Sequence, residues 1–466
     1  MNVDRQYPLA LDGDPEREAI EAVHAATALY TAEPVVDQLL DLLQWPANGG
    51  SLLDPSCGNG MFLVRALERV LAMAPAASDE ALLQLTGWEF HPPAAAEARQ
   101  RVETRLILAG RSAGDAQRLA ARMVVCADFL TAGPDSPSVN FIAGNPPYLR
   151  RLRVPSLLQR QYDAVVPGHA RADLLHAFLD RCVRCLKPGG RIGLVTADRW
   201  LAAAQGAALR AEMGRYVAIA HLQRLDARST FFRSKTRVAG TPPRVHPVAL
   251  LLAGAGEPGC QPLSAAPIYP GVDAARYRDR PTLGERASVR LAPWLGTDGV
   301  FLVDAGAAAA LPADLLVPVL APEDLAGEAV QPPRRWAIRT VPGELPAPSI
   351  RLHLQRTLPA MSARGRQAGA WQPPESFHRW DLSRPMLVLP RILARVAPIW
   401  LPAGRLPISH QLAIQCDDVA QLRQLADALR QPLATEWLHG HAPRLENGYH
   451  QLSAPLLRRM PLAIDG

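Results

Sequence analysis

A strand that ends in a carboxylate and turns through glycines into a helix sets what the first half of this chain can become. Ser51-Leu52-Leu53-Asp54 is a short apolar run, Pro55-Ser56-Cys57-Gly58-Asn59-Gly60 is the turn, and Met61 to Leu71 has amphipathic helical spacing. Two later runs also end in acids: Glu89 closes a strand expected over Leu82 to Trp88, and Asp128 closes one over Met123 to Ala127. A fourth run (Val139, Phe141, Ile142, Ala143) leads into Asn145-Pro146-Pro147-Tyr148. Strands and helices alternate to about Gly254, which predicts an α/β fold with a doubly wound, Rossmann-like, mostly parallel sheet. The first helix opens at Asp14-Pro15-Glu16 and is expected to run to about Tyr30, while Leu149 to Pro167 reads as irregular. The Gly/Pro-rich stretch Ala253 to Pro270 reads as a linker. Beyond it, short Pro-rich strands and a helix at Asp418 to Leu429 predict a mixed α+β domain, so the expected division is 1–258 and 259–466.

Glycines at a strand-to-helix turn let a ligand approach the backbone at the end of the sheet where α/β folds bind cofactors. The glycine spacing is too short for a dinucleotide fingerprint and lacks the Gly-Lys-Ser/Thr of a phosphate loop. A nucleotide-like ligand without a phosphate chain fits better. Glu89 is placed to accept from ribose hydroxyls and Asp128 from an adenine amino group, with Phe90 and Phe129 as walls for the ring. Taken singly, each acid is more often a strand-end or capping residue. In Asn145-Pro146-Pro147-Tyr148 the prolines remove donors and leave carbonyls free to accept, the Asn adds an amide oxygen, and the Tyr adds a flat surface for stacking. Alone, those four residues read as a turn closing a strand. Following three strand-end acids in order, they suit a pocket for a planar, amino-bearing group.

Asp54 to Gly60, Glu89, Ala127-Asp128-Phe129-Leu130 and Asn145-Pro146-Pro147-Tyr148 resemble motifs I to IV of amino-group DNA methyltransferases. Tyr30-Thr31-Ala32-Glu33-Pro34 is similar to their motif X, with Ala32 where the family has Pro, and Lys187-Pro188-Gly189-Gly190 is similar to a turn of class I S-adenosylmethionine enzymes. The motif order, followed by a long C-terminal region, resembles the gamma group (TaqI-type adenine methyltransferases), and the match covers roughly the first half of the chain. The resemblance implies S-adenosylmethionine as cofactor, with Tyr30, Thr31, Asp54, Pro55, Cys57, Gly58, Gly60, Glu89, Phe90, Asp128 and Phe129 as its binding residues. It implies catalysis by Asn145, Pro146, Pro147 and Tyr148, with a stacking residue from Ser229-Thr230-Phe231-Phe232-Arg233, where Phe232 is preferred to Phe231. Asn145 Oδ1 and the Pro146 carbonyl would accept the two N–H bonds of an adenine N6 amino group on a base turned out of duplex DNA. The C-terminal region would be a target recognition domain. A methyltransferase of the same fold acting on RNA or protein glutamine, and a non-catalytic DNA-binding subunit, are the rival readings.

The formal charge of +6 allows a polyanion partner. Residues 331–410 hold twelve Arg against three acids, a balance of +9 that leaves the rest of the chain at −3, and Trp336, Trp371, Trp380 and Trp400 are interleaved there. Basic and aromatic residues together suit a nucleic acid, although a solvated basic face would read the same way. Arg334 and Arg335 in that segment, and Arg150, Arg151 and Arg153 after the Asn-Pro-Pro-Tyr run, are the expected DNA contacts. Lys187 and Lys235 are the only lysines, and neither sits in the acid-x-Lys pattern of a common nuclease centre, which argues against fused cleavage. A separate restriction endonuclease or defence-system subunits are the further partners to expect, with the chain itself monomeric. The six scattered cysteines fit a reducing cytoplasm, with Cys182 and Cys185 in a helical core. No metal is expected, and His439, His441 and His450 read as surface residues. No apolar run of membrane-spanning length and no signal peptide is present, so a membrane role is not expected.

Overall fold

The computed structural model describes residues 14–134, 136–232, 245–326, 329–361, 369, 371–445 and 448–464. Arg233, Lys235, Arg364 and Arg366 lie outside the described residues. The chain forms two compact units, Met1–Gly271 and Val272–Gly466.

The first unit is built on an eight-stranded sheet. Its strands are β1 (Leu52–Asp54), β2 (Leu85–Glu89), β3 (Val124–Cys126), β4 (Val139–Gly144), β5 (Leu186–Ala197), β6 (Val217–Arg224), β7 (Pro247–Gly254) and β8 (Gln261–Pro262). They lie in the order β8-β6-β7-β5-β4-β1-β2-β3. Neighbours from β5 through β3 are parallel, whereas β7 runs antiparallel between β5 and β6. The sheet is doubly wound and mostly parallel, as expected. The strand order reverses between β4 and β1, and in open α/β sheets the crevice outside the carboxyl ends at that point is where ligands bind. Alternate residues feed two cores: Leu53, Ile142, Ile192 and Leu194 pack on one face, and Leu52, Phe141, Ala143 and Val195 on the other.

Local chemistry moves several expected boundaries. Helix α1 (Pro15–Thr27) is capped by Asp14, whose carboxylate accepts from Glu16 N at 3.0 Å. It stops short of Tyr30 because Tyr30–Thr31 leaves the helix to pair antiparallel with Phe231–Phe232. Leu82 is not in a strand: Ser78 caps a helical turn over Asp79–Leu82, and β2 starts only at Leu85. Helix α2 (Met61–Met73) follows the glycine turn as expected. The stretch 149–167, expected to be irregular, contains a 3-10 turn at Arg151–Arg153 and helix α3 (Ser156–Val165), whose Leu158 and Tyr162 are buried. Ala253 to Pro270 is not a free linker either. Gln261–Pro262 extends the sheet, and Leu263 and Ile268 are buried in the first core, so the division falls at Gly271 rather than 258.

The second unit has mixed α+β content. An antiparallel sheet (Ser288–Leu291, Leu412–Gln415, Met386–Leu389, Ile399–Leu401) has Leu387 and Leu389 in one cluster with helices Val419–Arg430 and Pro432–His441. Its other face, through Met386 and Val388, shares a cluster with a second four-stranded sheet and helix Pro348–Thr357. His450 is buried and stacked on His439, with ring centroids 4.7 Å apart, against the expectation of a surface histidine. No helix among the described residues is long and apolar enough to cross a membrane.

Candidate active site

The carboxyl ends of β1 and β4 meet. Gly144 closes β4 beside Asp54, and a Cβ there would lie 2.5 Å from Asp54 Oδ1, so only glycine lets the two strand ends approach. The glycine turn is bonded to the Asn-Pro-Pro-Tyr segment by the Ser56 hydroxyl, which donates to the Asn145 carbonyl at 3.1 Å. Gly58 and Gly60 have φ of +55° and +82°, a region L-residues rarely adopt. Tyr30 lies over the first of these: a Cβ on Gly58 would sit 3.1 Å from its ring. The resulting cleft is partly open to solvent. Its lining includes Tyr30, Thr31, Asp54, Pro55, Cys57, Gly58, Glu89, Phe90, Asp128, Phe129, Asn145 and Pro147, so residues from four strand ends share one cavity.

The acids serve the protein and the cleft together. Glu89 accepts from Gly58 N and His91 N, each at 2.9 Å, holding the glycine turn against β2. Asp128 caps the turn after β3, accepting from Leu130 N at 2.8 Å, and takes the Tyr162 hydroxyl on its other oxygen at 2.8 Å. Asp54 Oδ1 accepts from Ser56 N at 3.0 Å, but its Oδ2 is buried without a protein partner. Burial raises the Asp54 pKa to about 8, opposed by the Ser56 N–H and reinforced by the nearby Glu89 charge. Burial also raises Glu89 and Asp128. Two buried carboxylates beside the glycine turn, one with an unpartnered oxygen, form a donor set that becomes comfortably anionic once a cation joins them. A sulfonium ligand with an ammonium group has that chemistry.

Asn145 is fixed at both ends of its amide. Its nitrogen donates to the Leu29 carbonyl at 2.8 Å, and its oxygen accepts from the Tyr148 hydroxyl, which also lies 2.9 Å from the Val195 carbonyl. Burial pushes the Tyr148 phenol well up, so it stays neutral. Pro146 is buried, and neither it nor Tyr148 is on the cleft lining, whereas Asn145 and Pro147 are. Of the phenylalanine pair, Phe231 is 7% exposed in the core, and Phe232 is 39% exposed with its ring stacked on Tyr30 at 5.6 Å. Phe129 packs into the core against Phe178 and Trp88 while an edge faces the cleft. Gly60 serves packing, since a Cβ there would meet Ala98 at 3.1 Å, and Cys57 lines the cleft while its buried side chain packs beside Gly87.

The expected cationic contacts divide. Arg150 and Arg153 are exposed and in no described ion pair, but Arg151 is held by Asp163. Arg334 is exposed, whereas Arg335 is committed to Asp298 (3.1 Å) and Glu323. Trp336, Trp371 and Trp380 pack on one apolar cluster of the second unit and Trp400 on the other, so these rings support the core rather than standing free. Sequence reading missed Ser56, Leu29, Gly144 and Tyr162. Leu29 and Gly144 act through backbone position, Ser56 acts through a hydroxyl that only the fold brings to Asn145, and Tyr162 carried no signal beyond its place in an apparently irregular stretch.

Residues 127–231, from just after β3 to Phe231, match the model of the Eco57I restriction-modification methylase family. The chain is similar to restriction-modification methylases. It is 31% identical to the type II methyltransferase M.XhoI of Xanthomonas vasicola over 42% of this chain, and 32% identical to M.PaeR7I of Pseudomonas aeruginosa over 44%. The matched region spans 38% of each of those relatives. The fold is that of the type IIL restriction-modification enzyme MmeI, solved in complex with DNA, with a TM-score of 0.56 at 16% identity over 97% of this chain and 66% of that one.

Proposed function

We propose that the protein transfers a methyl group from S-adenosylmethionine to adenine N6 in duplex DNA, acting on a base turned out of the stack, within a restriction-modification or phage-defence system. The observation that carries this reading is the junction of Asn145 with the glycine turn: the Ser56–Asn145 bond is 3.1 Å, and Asn145 and Gly58 face one cleft. Bound in that cleft, the cofactor supplies an electrophilic methyl carbon on a sulfonium. Tyr30, the glycine turn and Glu89 would hold it, with Asp54 Oδ2 taking a cationic group and Asp128 the adenine end.

The chain's own contribution is orientation and charge. An exocyclic amino group is a weak nucleophile because its lone pair is delocalised into the ring. Asn145 Oδ1 already receives the Tyr148 hydroxyl, yet an amide oxygen has two lone pairs, so one remains for a substrate N–H. The Leu29 carbonyl fixes which end of the amide is oxygen. A bond to that oxygen strengthens as positive charge grows on the amino nitrogen, so it stabilises the transition state more than the ground state. Phe232, exposed beside Tyr30, offers an aromatic face, and stacking of about 1–3 kcal/mol would offset part of the unstacking cost of the flipped base. Arg150 and Arg153 lie just past Tyr148 and suit DNA phosphates, and the second unit would read the target sequence.

The decisive test offers purified protein and label-bearing methyl donor to duplex DNA, RNA and a protein lysate in parallel. Label should enter duplex DNA at adenine N6 and vanish with Asn145→Ala. Incorporation at cytosine, or into RNA or protein alone, would overturn the assignment.

A further inference from the structure

Among the described residues, Tyr162 is the one side chain from outside the recognised motifs with a described bond donated to a carboxylate of the cleft. It sits on α3, is 8% exposed, and lines the same cavity as Asp128, Phe129, Leu174 and Phe178. Its hydroxyl donates to Asp128 Oδ2 at 2.8 Å, while Asp128 Oδ1 is held by Leu130 N at 2.8 Å. The helix is anchored beside the catalytic segment: Gln159 donates to the Arg151 and Val154 carbonyls at 2.9 and 2.7 Å, and Arg151 pairs with Asp163. The phenol is therefore built into the wall rather than resting in it.

We infer that Tyr162, polarised by Asp128, is a specificity-determining residue that makes this end of the cleft accept a 6-amino purine and reject a 6-oxo purine. The inference rests on the cofactor reading above. A tyrosine hydroxyl has one proton and can both donate and accept. Here the proton is committed to the carboxylate, so toward a ligand that reaches it the oxygen is only an acceptor. Turning the proton towards a ligand would leave a buried carboxylate oxygen unpaired, which is costly. Burial, with the adjacent Asp128 charge, keeps the phenol protonated. Asp128 and Tyr162 together thus present acceptors alone. An amino group brings two N–H donors to them, whereas a carbonyl oxygen at the same position meets two electronegative groups. Sites built to take a donor reject analogues lacking it more strongly than apolar pockets reject a change of size.

The test measures binding of S-adenosylhomocysteine and S-inosylhomocysteine by calorimetry, with no catalysis involved. The native protein should favour the adenosyl compound by a factor on the order of 10⁴. Tyr162→Phe removes one acceptor and leaves Asp128 Oδ2 unpartnered, so that preference should fall about tenfold. A general loosening of the pocket would weaken both ligands and leave their ratio intact, which is why the ratio is the readout. Asp128→Asn, which lets the side chain donate, should lower it as well. A ratio unchanged in Tyr162→Phe would overturn the inference while leaving the cofactor reading standing. Failure of the native protein to bind S-adenosylhomocysteine would overturn both.

Discussion

Replacing Asp54 with Asn should make the ligand-free protein more stable at neutral and alkaline pH while impairing the cleft. Asp54 is 1% exposed, and its pKa is raised from 3.8 to about 8, mainly by burial. A carboxyl that holds its proton more tightly when folded contributes fully to stability below its unfolded pKa. That contribution is lost progressively as pH rises from about 4 to about 8, because the unfolded chain ionises first, and the loss is constant above that. At about 1.4 kcal/mol per pH unit the interval from 3.8 to about 8 sets a ceiling of about 6 kcal/mol, which relaxation of the site will reduce. Asn keeps the shape and the acceptor for Ser56 N but has nothing to ionise. Urea denaturation of both proteins without ligand, from pH 5.5 to 9, should show the variant gaining on the native chain up to about pH 8 and then holding its lead. Cofactor binding should show the complement. If a cationic group must find Asp54 ionised, binding near pH 6.5 releases a proton, so calorimetric heats depend on the buffer in the native protein and not in Asp54→Asn. A stability difference that stays flat across this range, together with buffer-independent heats, would refute the reasoning.

The two neighbouring phenylalanines should separate cleanly. Phe231→Ala removes a core side chain and should cost about 3–5 kcal/mol in denaturation, whereas Phe232→Ala should leave stability within about 1 kcal/mol and lower kcat/KM on duplex DNA, with partial recovery on a substrate whose target base is mispaired. The arginines should separate too: the double change Arg150→Ala with Arg153→Ala should lower the slope of log affinity against log salt by roughly 2 in a DNA-binding titration, about one for each phosphate no longer neutralised. Arg335→Ala should leave that slope unchanged, since its guanidinium is already engaged by Asp298 and Glu323.

The sheet of the first unit was legible because burial on both faces leaves an unambiguous signature. β1 and β4 are short apolar runs bounded by turn residues, and the glycine turn between β1 and α2 permits few alternatives. What the residues did not reveal came from competing local chemistry. A serine cap converts the approach to β2 into a helical turn. The ladder between Tyr30–Thr31 and Phe231–Phe232 joins residues two hundred positions apart, and no pattern within either segment announces it. The stretch after Tyr148 reads as irregular because its arginines mask the spacing of Leu158 and Tyr162, yet those two apolar faces are enough to seat a helix on the core. In the second unit the density of Arg and Trp suggested an exposed, polyanion-facing surface. The rings are half-buried and pack against apolar clusters, and Arg405 is spent on the Gln331 and Val319 carbonyls. Composition reports which groups are available and not which are already satisfied.

The same distinction governs the site. Residue types identify candidate acceptors, and the fold shows that a tyrosine hydroxyl already donates to two of them, Tyr148 to Asn145 and Tyr162 to Asp128. Each pairing removes the cost of holding a buried acceptor before a ligand arrives, and each leaves an oxygen with remaining lone pairs. The pairings differ in what they can do next. Tyr148 has the Val195 carbonyl at 2.9 Å as an alternative acceptor and can release Asn145 without leaving its own proton unpaired. Tyr162 has no second acceptor among its described bonds, so it must keep its proton on Asp128. On the proposed reading, the end of the cleft that would take the substrate can switch partners, and the end that would take the cofactor keeps its partner fixed.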